Sequence, residues 1–160
     1  MDLLIRAASR ADIGALDALY AGSYRKMLAA DYPPSVLVTA LPLITTAQPA
    51  LIASGTYFVA EAATTGELIG AGGWTSRQAG LGDVRHVVTD ARYVRRGVAS
   101  GLFARIFETA QWAGITRMAC NATRTAVPFY QAMGFAVLGP IEVELRPGIL
   151  FPAVQMARDV

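Results

Sequence analysis

Apolar positions recur along the chain with two periods. Val98, Leu102, Ile106 and Ala110 keep helical spacing, as do Ala99, Phe103 and Phe107, which predicts a helix with one core face that Gly114 ends. Ile13, Leu16, Leu19, Tyr20 and Tyr24 show the same spacing behind Asp12, an N-cap residue type, and predict a helix to about residue 29. The prolines at 33 and 34 break it. A second helix is predicted from Pro34 or Ser35 to near Pro42, with a short turn at 49–54.

Short β-branched and apolar runs predict strands at 3–6, 57–62, 68–75, 83–89 and 117–121. The second and third form a hairpin about the turn at 64–66, and 78–82 reads as a flexible link. Gly70, Gly72 and Gly73 within one strand imply a bulge or a close backbone approach. A further helix is predicted after Ala126. Runs at 136–138, 141–145 and 149–156, the last two joined by a turn at 146–148, make a terminal hairpin. The order of elements predicts one α/β domain over 1–160 with a mixed sheet.

The stretch 85–114 carries the strongest chemical signal. A β-branched run, Val87, Val88 and Thr89, leads through a turn with Arg85, Arg92, Arg95 and Arg96 nearby into the 98–110 helix. Unpaired N–H groups and the helix dipole favour an anion there. Small residues at Gly97, Ala99, Ser100 and Gly101 leave room for it, and a phosphate is the natural guest.

Composition sharpens this reading. At 160 residues and a net charge of +2, the chain has the size of one domain and no overall nucleic-acid footprint. One cysteine and one histidine exclude a disulfide framework and a zinc cluster, and no metal is expected. Residues 33–60 contain no charge, but Pro33, Pro34, Pro42, Pro49 and Gly55 divide them too finely to cross a membrane. The first six residues read as strand, not leader, so a cytoplasmic protein is expected.

RRGVA at 95–99, followed by AVPFYQAMGF at 126–135, resembles the GCN5-related N-acetyltransferase superfamily. That family's pyrophosphate pattern is Q/R-x-x-G-x-G/A, and a helix near its C-terminus commonly reads F-Y-x-x-x-G-F. Gly97 and Ala99 fill the small positions, Val94 replaces the expected glutamine or arginine, and residues 129–135 match in full. The resemblance implies a mostly antiparallel, twisted mixed sheet, flanked by helices, whose central parallel strand pair splays around acetyl-CoA. Backbone at Val87, Val88 and Thr89 would pair with the pantetheine amides, and N–H groups beside Val87 or Val88 would stabilise the oxyanion. Arg95, Arg96, Gly97, Val98, Ala99 and Ser100 would hold the pyrophosphate. Asn121, Thr125 as a cap, Phe129 and Tyr130 would complete the cofactor site.

The implied activity is acetyl transfer from acetyl-CoA to a primary amine by direct attack in a ternary complex. An alkyl amine with a pKa of roughly 10 must lose a proton, and the thiolate must regain one. Tyr130 stands at the family's phenol position as general acid. Asp83, at the offset from Gly97 where one branch carries a glutamate base, and His86 are alternative bases. Cys120 is core. Tyr24, Tyr32, Leu37 and Phe151 are expected to line an apolar acceptor site, for a small-molecule or peptide amine, or else a homodimer interface; Glu142 and Glu144 are expected to face solvent. A catalytically silent CoA-binding sensor or interaction domain is the main rival. A phosphate-binding protein unrelated to coenzyme A is a weaker one.

Overall fold

The computed structural model describes residues 2–160; Met1, which opened the sequence-based first strand, lies outside the described residues. Seven strands form one sheet: β1 (Leu3–Ala7), β2 (Tyr57–Ala62), β3 (Leu68–Gln78), β4 (Leu81–Thr89), β5 (Arg117–Ala122), β6 (Ala136–Arg146) and β7 (Ile149–Asp159). Their order is β1-β2-β3-β4-β5-β7-β6, and only β4 and β5 run parallel. The helices are α1 (Ile13–Leu28), α2 (Pro34–Ile44), α3 (Pro49–Ile52), α4 (Val98–Trp112) and α5 (Val127–Ala132).

Strand alternation divides the core into two layers. On β2, Tyr57 and Val59 face α1 and α2 with Leu16, Leu41, Ile52 and Phe151. Phe58 and Ala60 face α4 with Leu102, Phe103, Ile106 and Met118. Each fully buried large side chain contributes about 1.5–3 kcal/mol relative to exposure. No helix among the described residues is long and apolar enough to cross a membrane.

Four local details differ from the sequence-based expectations. Residues 78–82 are a tight hairpin, because Gly80 at φ +78° closes the turn and lets both strands run nearly to it. The second helix continues past Pro42 to Ile44, where Thr45 donates its backbone N–H and its hydroxyl to the Leu41 carbonyl. Asp12 caps backwards: it accepts from the Ser9 N–H at 2.8 Å and takes a guanidinium fork from Arg6, which also binds Glu61. The Arg6 pair, more than any other contact, holds the Asp12 carboxyl below its ordinary pKa. Finally, β6 is a single strand, shifted in register between Val137 and Gly139, and β7 runs on to Asp159.

Candidate active site

The parallel pairing of β4 and β5 covers only Leu81–Arg117, Gly82–Met118 and Asp83–Ala119. Beyond Asp83 the strands part, while β4 stays paired with β3 as far as Thr89 and β5 with β7 as far as Ala122. The β4 backbone from Val84 to Thr89 therefore has no strand partner on its β5 side, and an extended chain bearing amides can pair there.

A bulge shapes this open edge. Ala71 faces Val88 and Gly73 faces Arg85, so Gly72 alone opposes His86 and Val87, and His86 takes φ +45°. A Cβ on Gly72 would sit 3.1 Å from Val87 Cγ2, one on Gly73 2.3 Å from the Thr56 carbonyl and one on Gly70 2.6 Å from Val98. Both alternatives read from the three glycines, bulge and close approach, hold. A buried phenol chain fixes the bulge: Tyr57 donates to the His86 carbonyl at 2.8 Å, so the 2.6 Å contact between Tyr20 and Tyr57 must be a donation from Tyr20. Burial pushes Tyr20 up to about 12, so the phenol stays protonated.

At the far end of the open edge lies the α4 N-terminus. Arg95 at φ +62° and Gly97 at φ +82° flank Arg96, so the chain turns sharply just before the helix. No side chain caps the helix. A cavity of about 620 Å³ runs from this turn along the edge, lined by Val87, Val88, Thr89, Arg95, Gly97, Val98, Ala99, Ser100, Thr125, Phe129 and Tyr130. Val94 lines it too, with its side chain half exposed.

The arginine turn is sparser than its sequence suggests. Of the four arginines, only Arg95 lines the cavity; Arg96 lies over Tyr93 with its guanidinium 5.7 Å from the ring. Arg92 is tied to Asp90 and Glu67. The bulge sends Arg85 to the α1 and α2 face of the sheet. Gly101 faces Ile5, whose Cδ1 would lie 2.8 Å from an added Cβ, so it spares room for β1 and not for a ligand.

A second cleft, of about 430 Å³, opens on the other side of the same wall. Tyr24, Gln48, Arg77, Asp83, Arg85, His86, Asn121, Thr123 and Phe151 are among the residues lining it, with Val143 and Leu145 from β6. Val87, Met27, Ala126 and Tyr130 line both spaces. The Tyr130 ring packs on Phe103, Phe129 and Phe135. Burial holds its phenol well above the usual pKa, and no hydrogen bond holds the hydroxyl among the described residues, so its proton is available where the two spaces meet.

The two candidate bases differ in their surroundings. Both Asp83 oxygens are engaged by Arg77, one at 3.0 Å and one in a shorter contact. His86 lies between Tyr20 and Tyr24 with only loose 3.5 Å contacts to Tyr24 and Gln48. Burial first, and then the neighbouring Arg85 charge, lower it to about 4, so its imidazole is neutral at pH 7. Burial pushes the Cys120 thiol up to about 12, which leaves no thiolate for attack.

Several expected ligand contacts are placed otherwise. Asn121 lines the second cleft and not the cofactor-side cavity. Thr125 donates to Asp31 at 2.7 Å instead of capping; the cap is Thr123, whose hydroxyl accepts from Ala126. Tyr24 and Phe151 line the second cleft, whereas Tyr32 and Leu37 line a groove between α1 and α2. Tyr32 stacks on Phe151 at 4.6 Å, donates to the Pro152 carbonyl and accepts from the Arg124 N–H, so it braces β7 against the segment before α5. Gln48, Arg77, Arg85 and Thr123 were missed as lining residues. A polar residue within the uncharged 33–60 stretch, Gln48, was the one signal for the first of them.

Residues 35–157 match the family model for the acetyltransferase (GNAT) domain, and the chain belongs to that family. No curated protein matches it in sequence. A GCN5-related N-acetyltransferase from Rhodopseudomonas palustris superposes with a TM-score of 0.79 at 17% identity, over 100% of this chain and 97% of that one. The PaiA N-acetyltransferase of Thermoplasma acidophilum, crystallised in complex with coenzyme A, gives 0.74 at 16%, over 100% of both chains. A GCN5-related N-acetyltransferase from Kribbella flavida gives 0.64 at 22%, over 99% of this chain and 98% of that one. These likenesses establish the fold: a mixed sheet with one parallel pair, flanked by helices.

Proposed function

We propose that the chain is an N-acetyltransferase that moves the acetyl group of acetyl-CoA directly to a primary amine in a ternary complex. One observation carries this reading: the unpaired β4 edge runs from an uncapped helix N-terminus to Tyr130, which also walls the second cleft. The pantetheine chain pairs along Val87, Val88 and Thr89, and the pyrophosphate meets the N–H groups of residues 97–100. The coenzyme A complex of the Thermoplasma relative supports the same ligand.

The thioester then lies at the shared wall and the amine enters from the second cleft. Attack forms the N–C bond, and β4 N–H groups beside Val87 stabilise the oxyanion. Collapse breaks the C–S bond, and Tyr130 protonates the departing sulfur. His86 is the better placed base, since it lines the amine's cleft with only loose 3.5 Å contacts, whereas Arg77 engages both oxygens of Asp83. No thiolate intervenes, because Cys120 stays protonated.

Calorimetric titration with acetyl-CoA tests the first half. Saturable binding near one per chain is expected, and absence of binding at millimolar ligand overturns the proposal. Binding without turnover of any amine would make the chain the silent coenzyme-binding module instead.

A further inference from the structure

Three charged side chains line the second cleft: Arg77, Asp83 and Arg85. The first two pair with each other. Arg85 has only neutral partners, donating from Nη1 to Thr75 Oγ1 and from Nη2 to Gln48 Oε1, both at 3.2 Å. A guanidinium is always charged and has five N–H donors in a planar fork, so most of the fork remains for a ligand.

Among the described residues no carboxylate pairs with it, and the one in the cleft, Asp83, is engaged by Arg77. On β6, Val143 and Leu145 line the cleft, and alternation places Glu142 and Glu144 on the exposed face between them. The β4 bulge brings Arg85 and His86, neighbours in sequence, to the same side of the sheet. Arg85 to Val88 spans only Gly73 to Ala71 on β3, so Arg85 stands within about 7 Å along the strand of Val87, where the two spaces meet.

We propose that the acceptor is an amine carrying a carboxylate within a few bonds of its nitrogen, an amino acid or small amino carboxylate, and that Arg85 grips this carboxylate. The proposal rests on the N-acetyltransferase reading above. Its charge balances: the reactive neutral-amine form of an amino carboxylate carries one negative charge, which meets the one uncompensated positive charge of the cleft. A polyamine would bring further positive charge beside Arg85. The transfer forms the N–C bond and breaks the C–S bond, giving an N-acetylamino carboxylate and free coenzyme A thiol.

The test follows thiol release from acetyl-CoA over a panel of common α-amino acids, β-alanine and 4-aminobutyrate. Each is run beside its carboxamide and its decarboxylated amine. An α-carboxamide lowers the pKa of its ammonium, so intrinsic reactivity at neutral pH favours the amide, and a preference for the carboxylate reports the site. At least one amino carboxylate is expected to exceed both analogues about 10-fold or more in kcat/KM. Arg85→Gln should raise the KM of that carboxylate about 10- to 100-fold and leave the matching amine within about 2-fold, while Arg85→Lys restores part of the loss.

Preference for the carboxamides or amines overturns the inference, as does an equal loss on all three classes in Arg85→Gln. So does failure of every amino carboxylate with a chain that binds acetyl-CoA. A chain that does not bind acetyl-CoA removes the parent reading and this one together, and the calorimetric titration tells that case from the others.

Discussion

The two spaces that meet at Tyr130 are made of different material. The larger one is built mainly from backbone: an unpaired strand edge, the N–H groups of a helix end, and small residues that let a ligand approach them. The smaller one is built from side chains brought together from α1, α2, β3, β4, β5, α5, β6 and β7. A backbone site recognises what every substrate pair shares, the coenzyme, and depends on chain geometry. A side-chain site can be altered residue by residue without disturbing that geometry, and on the proposed function the choice of amine would be set there.

The sharpest cut through this comparison is Tyr130→Phe, since Tyr130 belongs to both spaces. Turnover should fall about 10²- to 10³-fold with acetyl-CoA affinity unchanged by calorimetry. An unchanged kcat would remove the phenol from the mechanism. Next comes pH. His86 titrates near 4 in the folded chain against 6.5 ordinarily, so the unfolded chain takes up its proton first. That contribution is complete above about pH 6.5 and is lost as pH falls toward 4, by up to roughly 3 kcal/mol. Urea unfolding across this range should show the decline, and His86→Gln should flatten it. A decline of equal size in the variant would mean that other groups cause it.

Gly97→Val tests the backbone site alone. A β-branched residue at φ +82° is strained by about 1–2 kcal/mol, and relief by refolding of the turn should weaken acetyl-CoA binding about 10-fold. The KM of the amine should not change, and an equal change in both would show that the two spaces are not separable. The smallest effect belongs to Thr125→Ala, which removes the 2.7 Å bond to Asp31 and should cost about 0.5–1.5 kcal/mol in thermal unfolding. A loss confined to coenzyme binding, with no change in stability, would show that the hydroxyl serves the ligand and not Asp31.

The same difference in material decides how much could be read from the sequence. The elements that carry Val87 to Thr89 and 97–100 were legible because a strand, a turn and a helix start are local patterns, and Gly97 marks a φ that only glycine adopts easily. The second cleft was legible only in part: Tyr24, Asp83, His86 and Phe151 could be singled out, but its remaining polar wall could not. Tyr32 and Leu37 looked like lining because they are apolar and near the right helices, yet Tyr32 has its hydroxyl engaged by Pro152 and Arg124, distant in the chain. Arg85 looked like part of an anion-binding turn because it is close in sequence to Arg92 and Arg95. One bulged residue at His86 reassigns it to the opposite side, and a bulge has no reliable signature in one strand when the residue it opposes, Gly72, lies in another. Residues 78–82 looked loose for the same reason, since the register that makes them a tight turn is set by pairing across β3 and β4.

The parting of β4 from β5 also bears on how this chain avoids its own kind. Unsatisfied strand edges invite stray chains to add to a sheet and are a common start of aggregation. Here the unsatisfied stretch lies inside the sheet, flanked by β5 and roofed by α4, α5 and Tyr130, so a sticky edge becomes a keyhole.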